Sequence, residues 1–392
     1  MAYKYKHFIP QNIAPSGAKS ILVYKNGKEV SSIPLGALTP PKAGKLYSFG
    51  LVSDCHTSGI KGSAIGASAK LRKALSYMTE RSCNMVIGCG DFTQTGLYNA
   101  SSDYYDESQF SNYKTIINEF SIPVFELYGN HENYWGKNIT SNLQKAKEFT
   151  GIPSTAYTVS NSVDTDTTEG TTVRPNRQVT VIGDDLFIMV GQSSQNDAMS
   201  VNDLSWLENT LTNNKNRRCF VFIHTFIDDN WSDSTTAIRD VERPKEDQDG
   251  YILSDSGNPC GARGNAITGG WEDNNQALLN RLLNALRNAP NLVIFHGHSH
   301  MKFESQAFDE CANYTEKNGF KSVHVPSLGS PRTLLNSNGE WDVTKLDDNY
   351  TQPDSQCYIV DVYEDCIVLN GMDLVNNEPV PLGTYKIDTN NN

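Results

Sequence analysis

NLVIFHGHSH, residues 291–300, holds four consecutive apolar residues, Leu292 to Phe295, that run straight into His296, His298 and His300. A short unbroken apolar run rich in β-branched and aromatic side chains reads as a strand buried on both faces. Gly297 ends it, and the imidazoles stand where the chain turns out of the core. Four other stretches repeat the pattern. LYSFGLVSD (46–54), NMVIGCGD (84–91), PVFELYGNH (123–131) and RCFVFIH (218–224) carry apolar runs into Asp54, Asp91, Asn130 with His131, and His224.

Helical patterns separate these runs: AIGASAKLRKALSYMTE (64–80), QFSNYKTIINEF (109–120), the segment around Leu204 and Leu211, and NNQALLNRLLNALRNA (274–289). Buried strands alternating with helices predict an α/β fold of stacked layers. FKSVHVPSL (320–328) and CYIVDVYEDCIVLNGMDL (357–374) read as further strands that close a second sheet. Upstream, Asn26-Gly27 within ILVYKNGKEVSSIPLG (21–36) is a hairpin signal, followed by the linker TPPKAGK (39–45). Residues 1–43 therefore read as an N-terminal β-hairpin appendage and linker, and residues 44–392 as the main domain. Within that domain Ser160–Asn176 lacks an apolar period and reads as a surface loop. Residues 225–274, with Trp231, Tyr251 and Trp271, read as a long insertion of the lid or binding-loop kind.

Hydrophobic residues make up 38% of the 392, enough for a sizeable core, and charged residues make up 20%, ordinary for a soluble chain. Thirty-three Lys and Arg against 45 Asp and Glu leave a net charge of -12, which disfavours nucleic acid and anionic membrane surfaces as partners. No run approaches the ~18 apolar residues that span a bilayer, and the first residues lack the apolar centre of a secretion signal. The eight cysteines show no CxxC spacing and most lie in apolar runs, so they read as reduced core residues of a cytoplasmic protein. Cys55 and Cys89 fall on the strand face opposite their polar neighbours and belong with these.

In α/β sheets, ligands gather where strands end at their carboxyl edge. Here five strand ends offer Asp54, His56, Asp91, Asn130, His131, His224, His298 and His300, and six of the eight histidines lie at or near them. Any one of these residues alone is an ordinary polar cap, His224 most of all. Together they form a donor set of imidazole and carboxylate suited to Mn, Fe, Zn or Ni, without the cysteines of a closed structural zinc site. His296 shares the alternating face of His298 and His300 but reads as a supporting or structural residue, and His7 and His324 as ordinary ones.

Asp54-Cys55-His56, Gly90-Asp91 with Gly96, Gly129-Asn130-His131-Glu132, Val221 with His224, and Gly297-His298-Ser299-His300 resemble, in order, the five signature blocks of the calcineurin-like metallophosphoesterases. The resemblance covers roughly residues 47–300. It implies a four-layer αββα sandwich of two mixed β-sheets flanked by helices, and two divalent metal ions. Asp54, His56, Asp91 and His300 would hold the first ion. Asp91, Asn130, His224 and His298 would hold the second, with Asp91 bridging and a hydroxide between the ions as nucleophile. His131 would be the residue that ligates neither ion and donates a hydrogen bond or proton to the leaving group. The substrate would be a small phosphate ester.

Departures from sister families narrow the branch. Protein Ser/Thr phosphatases carry arginines where this chain has Thr95 and Tyr128, and purple acid phosphatases carry a tyrosine ligand where it has Gln94 and a glycine where it has His56. What remains resembles the cyclic-nucleotide and other small phosphodiesterases. Phosphomonoesterase activity is the alternative within the family. The segment IAPSGAKSILVYKNGKEV (13–30) is similar to leaders of phage or prophage members, which implies a second alternative: a virion-associated or assembly module docked through residues 1–43. Arg239, Arg243, Arg263 and Arg332 stay outside the predicted site.

Overall fold

The computed structural model describes residues 20–25, 28–34, 44–57, 64–94, 98–99, 104–105, 107–132, 162–164, 177–191, 199, 201–225, 227, 276–304, 313–316, 319–329, 331 and 354–389. Its elements begin with β1 (Ser20–Lys25), β2 (Lys28–Pro34), β3 (Tyr47–Val52), α1 (Ala64–Glu80), β4 (Met85–Gly88), β5 (Tyr98–Asn99), β6 (Tyr104–Tyr105), α2 (Glu107–Ile117) and β7 (Val124–Glu126). They continue with β8 (Ser162–Asp164), β9 (Arg177–Ile182), β10 (Asp185–Val190), α3 (Val201–Asn213), β11 (Cys219–Ile223), α4 (Gln276–Arg287) and β12 (Leu292–His296). The last four are β13 (Lys321–His324), β14 (Gln356–Val362), β15 (Cys366–Asp373) and β16 (Glu378–Asp388).

Two six-stranded sheets form the body, ordered β16-β15-β14-β3-β4-β7 and β13-β12-β11-β10-β9-β8. Both are mixed. The ladders β3–β4–β7 and β10–β11–β12–β13 are parallel, and antiparallel strands complete each sheet. Strand alternation decides what each face packs against. Phe49 and Leu51 of β3, Phe187 and Met189 of β10, Phe220 and Phe222 of β11, and Val293 and Phe295 of β12 meet in one core between the sheets. The alternate residues of the second sheet, among them Ile188, Val221 and Ile294, pack on Leu204, Leu207 and Leu211 of α3 and on Leu282, Leu283 and Leu286 of α4. On the far side, Leu71, Ala74, Leu75 and Met78 of α1 and Tyr113 and Ile116 of α2 cover the first sheet. Apolar side chains three and four apart give each helix its single buried stripe. The order of layers is αββα, as the resemblance implies.

The remaining differences are local. The two C-terminal stretches do not close one sheet together: β13 extends the second sheet, while β14 to β16 return to β3 of the first. The helix read over 109–120 runs from Glu107 to Ile117, and Glu119 and Phe120 then bond back three residues, a 3₁₀ tightening of the last turn. Of the loop at 160–176, Ser162–Asp164 forms the edge strand β8. The strands flanking Asn26-Gly27 pair antiparallel as a separate two-stranded sheet. Trp231, Tyr251, Trp271, Arg239, Arg243, Arg263, Arg332 and His7 lie outside the described residues. Among the described residues no helix is long and apolar enough to cross a membrane.

Candidate metal centre

Three parallel strands of the first sheet and two of the second end at the same edge of the sandwich. β3 delivers Asp54 and His56, β4 delivers Asp91, and β7 delivers Asn130 and His131. From the other sheet β11 delivers His224, and β12 delivers His298 and His300. Backbone bonds lock these ends to one another: Asp54 N–H donates to Gly90 O at 3.0 Å, His56 N–H to Asp91 O at 2.9 Å, and Gly297 N–H to His224 O at 3.0 Å. Seven of the eight predicted residues are buried, and His131, with its side chain 23% exposed, is the one solvent reaches.

The side-chain atoms fall into two groups that share Asp91. In one, ligand atoms of Asp54, His56, Asp91 and His300 all lie within 4.8 Å of one another. Here His300 Nε2 is 3.1 Å from Asp54 Oδ1 and 2.9 Å from His56 Nε2. In the other, Asp91, His224 and His298 meet the same limit. His224 Nε2 lies 3.1 Å from Asp91 Oδ2, 3.1 Å from His298 Nδ1 and 3.0 Å from Asn130 Oδ1.

Nitrogens and oxygens crowded this closely fit cations at their centre. Asp54 Oδ1 and Asp91 Oδ2 are buried, each with a ring nitrogen at 3.1 Å, His300 Nε2 and His224 Nε2, an arrangement of ligand atoms that a cation would complete. His224 Nδ1 bonds the Cys89 carbonyl at 2.7 Å, so on losing its second proton the ring presents the Nε2 lone pair to the cluster. Burial opposes ionisation of both carboxyls, yet the facing imidazoles outweigh it and hold Asp54 and Asp91 below the usual carboxylate range. Burial likewise pulls the His224 imidazole down, but the Asp91 charge outweighs it and holds it up at about 9. Burial and the neighbouring His224 push His298 down to about 3.

The backbone at these positions is strained. Asp54, His56, Asp91, His298 and His300 adopt φ of 50°, 49°, 53°, 70° and 60°, in the left-handed region that costs non-glycine residues about 1–3 kcal/mol each. Such strain persists only where the surroundings over-determine it. Gly297 shows how tight they are, since a Cβ there would lie 1.8 Å from Ser53 Oγ.

Two supporting contacts were not singled out from the sequence. The Glu132 carboxylate accepts the N–H groups of Asp91 at 2.9 Å, Thr93 at 2.9 Å and Gly129 at 2.8 Å, fastening the Asp91 loop to the Asn130 loop. Burial and the Asp91 charge push this carboxyl up to about 8 against the pull of those donors. Its place directly after Asn130-His131 was the available signal. The Gln94 carbonyl accepts His131 Nδ1–H, so Nε2 faces inward, 3.9 Å from Asp91 Oδ2. His296 is fully buried with its ring 5.6 Å from that of His324, outside both ligand groups.

Comparison with solved structures finds the fold in a dimetal phosphatase and a weaker likeness elsewhere. A dimetal phosphatase from Danio rerio shares 14% identity over 88% of this chain and 100% of its own, with a TM-score of 0.50. The anchor in the inner membrane complex of Plasmodium shares 12% identity over 88% of this chain and 89% of its own, with a TM-score of 0.46. No curated protein sequence matches the chain. The profile of the calcineurin-like phosphoesterases matches residues 47–302. Because that span starts with β3 and ends just past His300, it takes in every strand end that feeds the cluster, and the chain belongs to the calcineurin-like phosphoesterase family.

Proposed function

We propose that this family member is a phosphodiesterase acting on a small phosphate ester, with Asp54, His56, Asp91 and His300 holding one divalent cation and Asp91, Asn130, His224 and His298 holding the other. The observation that carries the reading is Asp91, buried and common to both groups. When bound, two such cations supply a Lewis acid for the phosphoryl oxygens and acidify a water enough for attack near neutral pH. The protein's own part is to orient. Gln94 holds the His131 ring through Nδ1–H, which leaves Nε2 facing the cluster, and from the doubly protonated ring Nε2–H donates to the leaving-group oxygen.

The preference for diesters rests on missing arginines. A monoester dianion carries an extra charge that arginine clamps help to neutralise. At the clamp positions stand Gln94, Thr95 and the buried Tyr128, whose ring packs 6.0 Å from that of Phe92. Four of the described arginines pair with carboxylates elsewhere, Arg72 with Glu119, Arg177 with Asp203, Arg218 with Asp185 and Arg281 with Glu208. The insertion 225–274, which starts right after His224, is in sequence the segment to supply a wall for the leaving group. Comparing kcat/KM for matched nitrophenyl monoester and diester pairs tests the preference. A monoester advantage above roughly tenfold, or 1.4 kcal/mol, overturns it.

A further inference from the structure

The family profile ends at residue 302, but the polypeptide returns to the metal centre after it. Leaving β13, residues 325–329 cross from the second sheet to the first and run beside the Asp54 loop, with Ser327 bridged to Ser53 in parallel. Leu328 N–H donates to Ser53 O at 2.8 Å, and Gly329 N–H and Ser327 Oγ–H both donate to Asp54 O, at 3.0 and 2.9 Å. A Cβ on Gly329 would lie 2.3 Å from Cys55 O, so the approach leaves no room for a side chain. The far side is anchored as well. Lys70 Nζ on α1 donates to Gly329 O at 2.5 Å, and Ser355 Oγ, just before β14, donates to Leu328 O at 3.0 Å.

The start of the same segment holds the other ligand turn. His324 Nε2 lies 2.6 Å from Ser299 Oγ, and Ser299 sits between His298 and His300, both left-handed. Val325 N–H donates to His296 O at 2.7 Å, fixing the segment to the strand that leads into that turn.

We propose that residues 324–329 form a positioning strap that sets cation affinity, chiefly at the Asp54, His56 and His300 group; this rests on the metal reading of that group. The physical need is plain. Ligands arrive from two sheets, so a cation site is only as well shaped as the sheets are mutually fixed, and all four of its residues, Asp54, His56, Asp91 and His300, sit in backbone conformations they would not choose alone. The strap ties Asp54 through its carbonyl and His300 through Ser299. The bonds of Ser327, Leu328 and Gly329 fall on Ser53 and Asp54, and that of His324 on the turn carrying His298 and His300.

The test is calorimetric titration of the metal-stripped full chain with Mn²⁺, beside its melting temperature in chelator. Ser327→Ala is placed in two backgrounds: Asn130→Ala, which keeps the Asp54 group, and His56→Ala, which keeps the His224 group. Loss of such a supporting contact typically weakens metal binding about 10- to 100-fold. That loss is expected in the Asn130→Ala background only. His324→Leu should weaken Mn²⁺ binding in the otherwise wild-type chain, and His324→Gln, which restores a polar group near the Nε2 position, should recover most of it. Equal weakening in both backgrounds, no weakening in either, or no recovery by Gln would overturn the strap. A wild-type chain that takes up no Mn²⁺ would overturn the metal reading itself and the strap with it, and that result is visible before any variant is made.

Discussion

Asp54 Oδ2 accepts the backbone N–H of His298 at 2.9 Å, tying the end of β3 to the turn after β12 across 244 residues of sequence. The same oxygen accepts Ser53 Oγ–H at 2.6 Å, while Oδ1 faces His300 Nε2 at 3.1 Å. Asp91 divides its oxygens in the same manner, Oδ1 accepting His131 N–H at 2.9 Å and Oδ2 facing His224 Nε2 at 3.1 Å. Each carboxylate thus uses one oxygen to fix a neighbouring ligand loop and turns the other toward the cluster. Substitutions at these aspartates should therefore disturb geometry and ligation together.

Asp91→Asn is expected to be the most damaging single ligand change, because Asp91 belongs to both groups. The amide keeps the shape but removes the charge that attracts the cations. Bound metal should fall from two ions per chain toward none, with kcat/KM down by at least about 10³, roughly 4 kcal/mol. Metal analysis and kinetics check this together, and a variant with two ions and the wild-type rate removes Asp91 from the shared position.

Metal binding should be pH-dependent through His224. Its folded-state pKa of about 9 lies above the ordinary value near 6.5, so in the metal-free protein the ring is protonated at pH 7 to 8. A cation must displace that proton. Mn²⁺ affinity should therefore rise with pH up to about 9 and flatten beyond it, and titrations in buffers of different ionisation enthalpy should report about one proton released per chain at pH 8. Affinity that does not change between pH 7 and 9 would contradict the assignment.

How much of this was legible in the sequence depends on the range of the interaction that carries it. A strand buried on both faces must be a continuous apolar run, so the five strands and the residues ending them could be read directly, and the structure gathers all eight named side chains. α1 begins and ends where its pattern does. The sheet membership of β14 to β16 was not legible, since periodicity says a segment is a strand and nothing about a partner some 300 residues upstream. Glu132 and His324 escaped for a related reason. Their roles are hydrogen bonds to a backbone N–H or a serine hydroxyl, contacts that leave no composition or spacing signature.

His131→Ala should separate proton donation from ligation. The ring lies 3.9 Å from Asp91 Oδ2 and is pinned by the Gln94 carbonyl, so its loss should leave both ions and the melting temperature near wild type. The kcat should fall by about 10²–10⁴ for esters with poor leaving groups. The deficit should shrink for nitrophenolate, which departs without a proton. A deficit of the same size across leaving groups would make His131 a residue that positions substrate or stabilises charge.

Gly297→Ala tests the link between Asp54 and His298 from the side of packing. An added Cβ would sit 1.8 Å from Ser53 Oγ and 2.6 Å from Asp54 Oδ2, and both atoms are buried with nowhere nearby to retreat. Overpacking of this kind typically costs about 1–3 kcal/mol. Something must move, and the bond from His298 N–H to Asp54 Oδ2 is the nearest thing that can break. Ser53→Gly in the same chain removes the closer clash and spares the second, so the double variant should regain most of its stability in chelator. Its Mn²⁺ affinity should stay low, because Asp54 Oδ2 is still displaced. If affinity returns along with stability, the clash acts only on folding and the Asp54 to His298 bond is not what shapes the cation site.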